Sequence, residues 1–198
     1  MNSFQYPKPV LGIAAFSGTG KTQLLKELLP RLKQSGVRVG VIKHAHHDVD
    51  IDKPGKDSYE MRQAGATPVV LASDKRIAVM IEKSEPASSS IDELLTYIDP
   101  ETVDLVLVEG YKELDYKKLF LFRHQIKDRF QELDEKICSI MNHENTLAII
   151  TDVDTNTIAA KLETEKTIIN INHPEDVTTF ILNYMQTETK HDQSNPLL

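Results

Sequence analysis

Cysteine occurs once in the 198 residues, at Cys138. One thiol closes no internal disulfide and builds no thiolate cage for a metal, and a solitary thiol of this kind behaves as a small apolar side chain in a reducing compartment. Positive charge is also in short supply: 23 Lys and Arg stand against 30 Asp and Glu, a net charge of -7, with a pI near 5.5. That balance argues against a nucleic-acid partner, because such surfaces depend on many cations neutralising phosphates. No apolar run approaches the roughly 20 residues that span a bilayer, and Met1 to Pro9 lacks the apolar stretch of a signal peptide. The expectation is a cytoplasmic protein with neither membrane nor nucleic acid among its partners. There is no internal repeat, and the length suits one core of ordinary size. A single domain over residues 1–186 is expected, followed by a polar, disordered tail at 187–198.

What is present alternates between strand and helix patterns. Val10 to Phe16 is an apolar run ending in a Gly-containing loop, and Leu24, Leu25, Leu28, Leu29 and Leu32 follow at helical spacing. A kink is expected at Pro30 and a left-handed stop at Gly36. Val37 to Lys43 reads as a second strand, followed by a polar stretch and a short helix, Ser58 to Ala64. Thr67 to Ser73 and Arg76 to Glu82 are separated only by Asp74 and Lys75, too few residues for a crossover, so an antiparallel hairpin is predicted. Ser90 and Glu93 form a capping box opening a helix from Ile91 to Ile98. Strands are expected at Val103 to Glu109, Leu119 to Arg123 and Thr146 to Thr151, with a charged helix from Ile126 to Ile137 and an edge strand at Ile168 to Ile171. A helix from Pro174 to Met185 closes the pattern.

Ala15-Phe16-Ser17-Gly18-Thr19-Gly20-Lys21-Thr22 matches the phosphate-loop pattern G-x-x-x-x-G-K-[ST], with Ala at the first position. Each part has a physical task. Gly18 and Gly20 let backbone amides turn inward on phosphate oxygens, Lys21 reaches the β- and γ-phosphates, and the Thr22 hydroxyl is a magnesium ligand. Ser17 through Thr22, with Gln23 in the first helical turn, form the candidate nucleotide-binding set. The helix adds its positive end. The fold class is therefore α/β, a P-loop NTPase with a mixed, mostly parallel sheet, helices on both faces and one antiparallel hairpin.

Such a loop needs an acidic partner at the end of a neighbouring strand. Asp104 and Glu109 lie roughly 16 Å apart along one strand at about 3.3 Å per residue, so only one can reach the phosphates. Ligands of open α/β sheets collect at the carboxyl ends of strands, which selects Glu109 for magnesium and for catalysis beside Lys21. The stretch His44 to Asp57 leaves the same edge carrying His44, His46, His47, Asp48, Asp50, Asp52 and Asp57. It suits either a loop that senses the γ-phosphate, with Asp48 as the candidate catalytic carboxylate, or a transition-metal site. A solvated loop without a ligand is the plain alternative.

Ser17 to Thr22, Ile42-Lys43-His44 with His46-His47-Asp48, the segment Asp52 to Glu60, and Leu107-Val108-Glu109-Gly110-Tyr111-Lys112 together resemble MobB, the molybdopterin-guanine dinucleotide biosynthesis protein B family, over most of residues 9 to 186. The resemblance implies a GTP-binding adapter with magnesium and weak GTP hydrolysis, assembled as a homodimer and assisting a molybdopterin guanylyltransferase-type enzyme. Whether hydrolysis is itself the function stays open. Guanine offers two donors that one carboxylate can accept together, and Asp152, after the strand ending at Thr151, is placed for this; Asp154 competes for the role and there is no full N-K-x-D. A small-molecule kinase, with Lys112, Lys117, Lys118 and Arg123 holding a phosphate acceptor, and a metal-insertion GTPase using His44 to His47 are the alternatives.

Overall fold

The computed structural model describes residues 4, 6–45, 51–84, 88–123, 135–162 and 164–193. The chain divides into two compact units, Met1–His44 with Ile91–Leu198, and Ala45–Ser90.

The larger unit is a six-stranded sheet. Its strands are β1 (Val10–Ala15), β2 (Val39–Lys43), β5 (Leu105–Glu109), β6 (Lys118–Phe122), β7 (Thr146–Thr151) and β8 (Thr167–Asn170), in the order β2-β5-β1-β6-β7-β8. Every pairing is parallel. β1, β5 and β6 are buried along their whole length, as continuous apolar runs are when helices cover both faces. Alternate residues point to opposite faces. Leu11, Ile13, Leu107 and Leu119 meet α1 (Lys21–Gln34) and the closing helix on one side. On the other, Ala14, Phe120 and Ile149 pack with Ile137, Met141 and Ile158, and Val106 and Val108 pack with Ile91 and Leu95.

Those last helices are α3 (Ile91–Leu95), α4 (Glu135–Asn142) and α5 (Thr155–Leu162), and α6 (Pro174–Gln193) closes the fold. α3 is shorter than its pattern suggested, and α6 runs past Met185 to Gln193. α5 is an element that the sequence pattern did not reveal. α4 takes over near the end of the expected charged helix, most of which lies outside the described residues, as do residues 194–198 of the expected tail. α1 continues through Pro30 to Gln34, and Gly36 then takes φ +81° as its stop.

The smaller unit holds α2 (Asp57–Gln63) and the hairpin of β3 (Val69–Ser73) and β4 (Arg76–Met80). The strands are antiparallel, with Ser73 opposite Arg76. They form a two-stranded sheet of their own, so the antiparallel pairing is separate from the parallel sheet.

Candidate functional site

β1 is central in its sheet, and its carboxyl end runs directly into the phosphate loop. Gly18 and Gly20 take φ of +79° and +89°, backbone conformations that L side chains rarely adopt. The buried Thr19 hydroxyl donates to the Phe16 carbonyl at 2.8 Å and closes the loop on itself. Gly20 is the N-cap of α1, and its carbonyl accepts the Leu24 amide at 3.0 Å. The first turn of α1 contains no acidic residue, so its positive end is not offset by its own sequence.

Lys21 folds back over the loop, its Nζ donating to the carbonyls of Ala15 at 3.3 Å and Phe16 at 3.1 Å. Burial pushes its pKa down, Glu109 opposes this, and Lys112 and Lys43 press it down further. Ser17, Thr22 and Gln23 are exposed, the last donating to Glu27 at 2.8 Å. The structure thus groups Ser17 to Gln23 around one concave turn of backbone.

Glu109 is the last residue of β5, opposite Ile13 of β1 and Lys43 of β2. It is buried, with Lys43 Nζ at 3.4 Å. Asp104 has a different job. Its carboxylate takes Arg38 bidentately at 3.0 and 2.7 Å, and that partner holds its pKa down to about 2. We expect Glu109→Gln to weaken magnesium-dependent nucleotide binding at least tenfold, a loss of about 1.4 kcal/mol. Asp104→Asn should stay within about twofold, because an exposed pair at the far end of the strand contributes little. Titrations of both variants with and without magnesium read the difference, and equal losses would contradict it.

Behind Glu109 the chain turns sharply through Gly110 and Tyr111, at φ +112° and +50°. A Cβ on Gly110 would stand 2.9 Å from the Cβ of His44, whose amide donates to the Glu109 carbonyl at 3.0 Å and whose ring lies 4.5 Å from that of Tyr111. His46, His47, Asp48 and Asp50 lie outside the described residues. Asp48 is therefore not among the residues that the structure brings together.

Asp152 and Asp154 make different contacts. Asp154 Oδ1 accepts from both the amide and the hydroxyl of Thr157, at 2.9 and 3.0 Å, at the start of α5. Asp152, at the end of β7, accepts from Arg123 Nε at 3.1 Å. Arg123, grouped from the sequence only with the residues for a phosphate acceptor, reaches the phosphate loop: its NH1 lies 3.3 Å from where a Cβ on Gly20 would stand. Nothing local could show this, since it depends on β6 lying beside β1. Two of the four basic residues grouped for a phosphate acceptor are committed elsewhere. Lys117 is paired with Glu188 at 2.6 Å. Lys118 is buried and donates to the carbonyls of Lys112 and Leu114. Lys112 sits 4.4 Å over the Phe16 ring.

The family model for molybdopterin guanine dinucleotide synthesis protein B matches residues 10–152. The chain is 40% identical over 180 residues to the molybdopterin-guanine dinucleotide biosynthesis adapter protein of Escherichia coli (strain K12), covering 91% of this chain and 95% of that one. Identity to the protein of the same name from Haemophilus influenzae is 39% over 177 residues, 89% of each chain. A crystal structure of molybdopterin-guanine biosynthesis protein B shares the fold, with a TM-score of 0.64 at 22% identity over 88% of this chain and 99% of that one.

Proposed function

Because this chain belongs to the molybdopterin-guanine dinucleotide synthesis protein B family, we propose that it is a GTP-binding adapter in the formation of the molybdopterin-guanine dinucleotide cofactor. The observation that carries the nucleotide part is the half-buried, fold-back Lys21 over a glycine-shaped turn, with Glu109 beside it at the carboxyl edge of the sheet. A cation held at a positive helix end is unfavourable until an anion joins it.

In this proposal the amides of Ser17 to Gln23 hold the phosphates, Lys21 reaches the β- and γ-phosphates, and Thr22 and Glu109 hold magnesium. The donors suit that ion: one hydroxyl and one carboxylate leave its other positions to phosphate oxygens and water. Magnesium supplies charge neutralisation of the triphosphate. Asp152 is the reader of guanine, one of its oxygens engaged by Arg123, and Asp48 is the candidate catalytic carboxylate of the loop after β2.

The partner is a molybdopterin guanylyltransferase-type enzyme, and the working assembly is a homodimer. The hairpin supports self-association: Val70, Val79 and Ile77 share one of its faces at 60%, 54% and 73% exposure, and an isolated two-stranded sheet is marginally stable in water. Light scattering on the purified protein reads the stoichiometry, and a monomer at working concentrations would overturn the dimer.

Kinase and metal-insertion functions are not favoured. The family is that of a biosynthesis adapter, and Lys117 and Lys118 are committed to structural partners; His46 and His47 of the expected metal cluster lie outside the described residues.

Hydrolysis should be slow. Fast P-loop hydrolases meet the transition-state charge with a cation worth about 10³ to 10⁵ in rate. The first arginine after the loop that follows β2 is Arg62, which is paired with Glu82 and stacked on Tyr59. Calorimetry should show GTP binding more tightly than ATP, and only with magnesium. Phosphate release by the isolated protein should stay well below about one per second. Turnover of tens per second without a partner would contradict the adapter function.

A further inference from the structure

The phosphate loop is flanked by two strands, β5 on one side of β1 and β6 on the other. The β5 side supplies Glu109. On the β6 side stands Arg123, the residue directly after that strand, with Nε bound to Asp152 at 3.1 Å and NH1 against Gly20. A Cβ at position 20 would stand 3.3 Å from NH1, so that the guanidinium would have to give by a few tenths of an ångström. The side chains of Arg123 and Asp152 are 30% and 17% exposed, open to a ligand yet partly dehydrated, which strengthens a charge contact. A guanidinium at the positive end of α1 is a like-charge placement, which Asp152 offsets and which an incoming anion would stabilise further. Its planar fork keeps donors for that anion after Nε is taken by a carboxylate.

We propose that Arg123 binds the sugar-proximal phosphate of the nucleotide, held there by Asp152, which in the function proposed above also contacts the base. The assignment rests on the phosphate-loop function above and adds a residue to it. Glu109 and Lys21 serve the β- and γ-phosphate end, whereas the opposite flank of the loop meets the end nearest the sugar.

Displacement of a fluorescent guanosine nucleotide by GTP, GDP and GMP tests this in the full chain. Arg123→Ala should weaken all three by a similar factor, roughly tenfold to a hundredfold for a charge-assisted contact. Arg123→Lys should recover part of the loss. Asp152→Asn should weaken GMP less than Arg123→Ala does, and the two together by less than the product of their separate factors. Losses confined to GTP, or none for any nucleotide, would overturn the assignment. If Arg123→Ala melts early, Arg123→Lys and Asp152→Asn still carry the comparison, since each keeps the packing. Lys21→Ala separates the two claims: if it abolishes GTP binding while the Arg123 variants change nothing, only the Arg123 assignment falls. If Lys21→Ala also leaves GTP affinity unchanged, the phosphate-loop function falls with it.

Discussion

Replacing Lys21 with alanine abolishes GTP binding and leaves the fold standing. In the folded chain the ammonium makes two hydrogen bonds, both to carbonyls of its own loop. It does so at a cost, because burial and the neighbouring Lys112 and Lys43 disfavour its charge. A lysine whose pKa falls on folding opposes folding while it is charged. Its removal should therefore leave thermal stability unchanged or slightly higher. The effect on binding is of another size. Two charge-assisted contacts to phosphate oxygens are worth about 3 to 6 kcal/mol, roughly 10² to 10⁴ in affinity. Calorimetry with GTP and magnesium, beside a thermal melt of the same sample, checks both halves. Wild-type affinity in the variant would remove the phosphate loop from the site.

The second large effect falls on stability. Gly12 sits in the middle of β1, opposite Val108 and Lys118. A Cβ there would meet two ring carbons and the hydroxyl oxygen of Tyr116 at 2.6 to 2.7 Å. Tyr116 cannot easily yield. It is fully buried, packs with Val106 and Val108, and donates its hydroxyl to the Gly110 carbonyl at 3.0 Å. Gly12→Ala must therefore displace the ring or part the central strands. Overpacking costs about 1 to 3 kcal/mol, and a buried hydroxyl torn from its acceptor adds about 1 to 3 more. The variant should lose about 2 to 6 kcal/mol in chemical denaturation, a large share of a domain's stability. Gly110 follows Glu109, so a displaced Tyr116 should also loosen the turn that fixes the acidic site. An unchanged denaturation midpoint would show that Tyr116 swings aside freely.

Local chemistry made much of this molecule legible. The glycines and lysine of the phosphate loop announce a strand, a turn and a helix, and those elements stand where the pattern put them. Asp74 and Lys75 are too short a link for anything but a hairpin. Glu109 was chosen over Asp104 by strand direction alone, and the Arg38 pair gives Asp104 a separate role. What escaped notice was set by long-range pairing or by ambiguous local signals. Arg123 reaches Gly20 only because β6 docks beside β1 in parallel register, with Leu121 opposite Ala15. α5 was hidden because Asp154 followed by Thr157 reads equally as a turn or as a helix cap, and the cap is what forms. That the hairpin pairs with itself and not with the main sheet is likewise unmarked in its sequence, since strand patterns specify pairing poorly.

The central place of β1 has a consequence for synthesis. Val10 pairs with Val106, and Ala15 with Leu121, so β1 finds neither of its neighbours in the sheet until β5 and β6 have been made. At typical elongation speeds that is a wait on the order of ten seconds, with an apolar segment unpaired throughout. Contacts so distant in sequence also slow folding in solution. A nascent chain arrested before β5 and β6 has emerged would carry every residue of the phosphate loop and nothing to shape it, so the capacity to hold a nucleotide arrives late, once translation has passed Phe122.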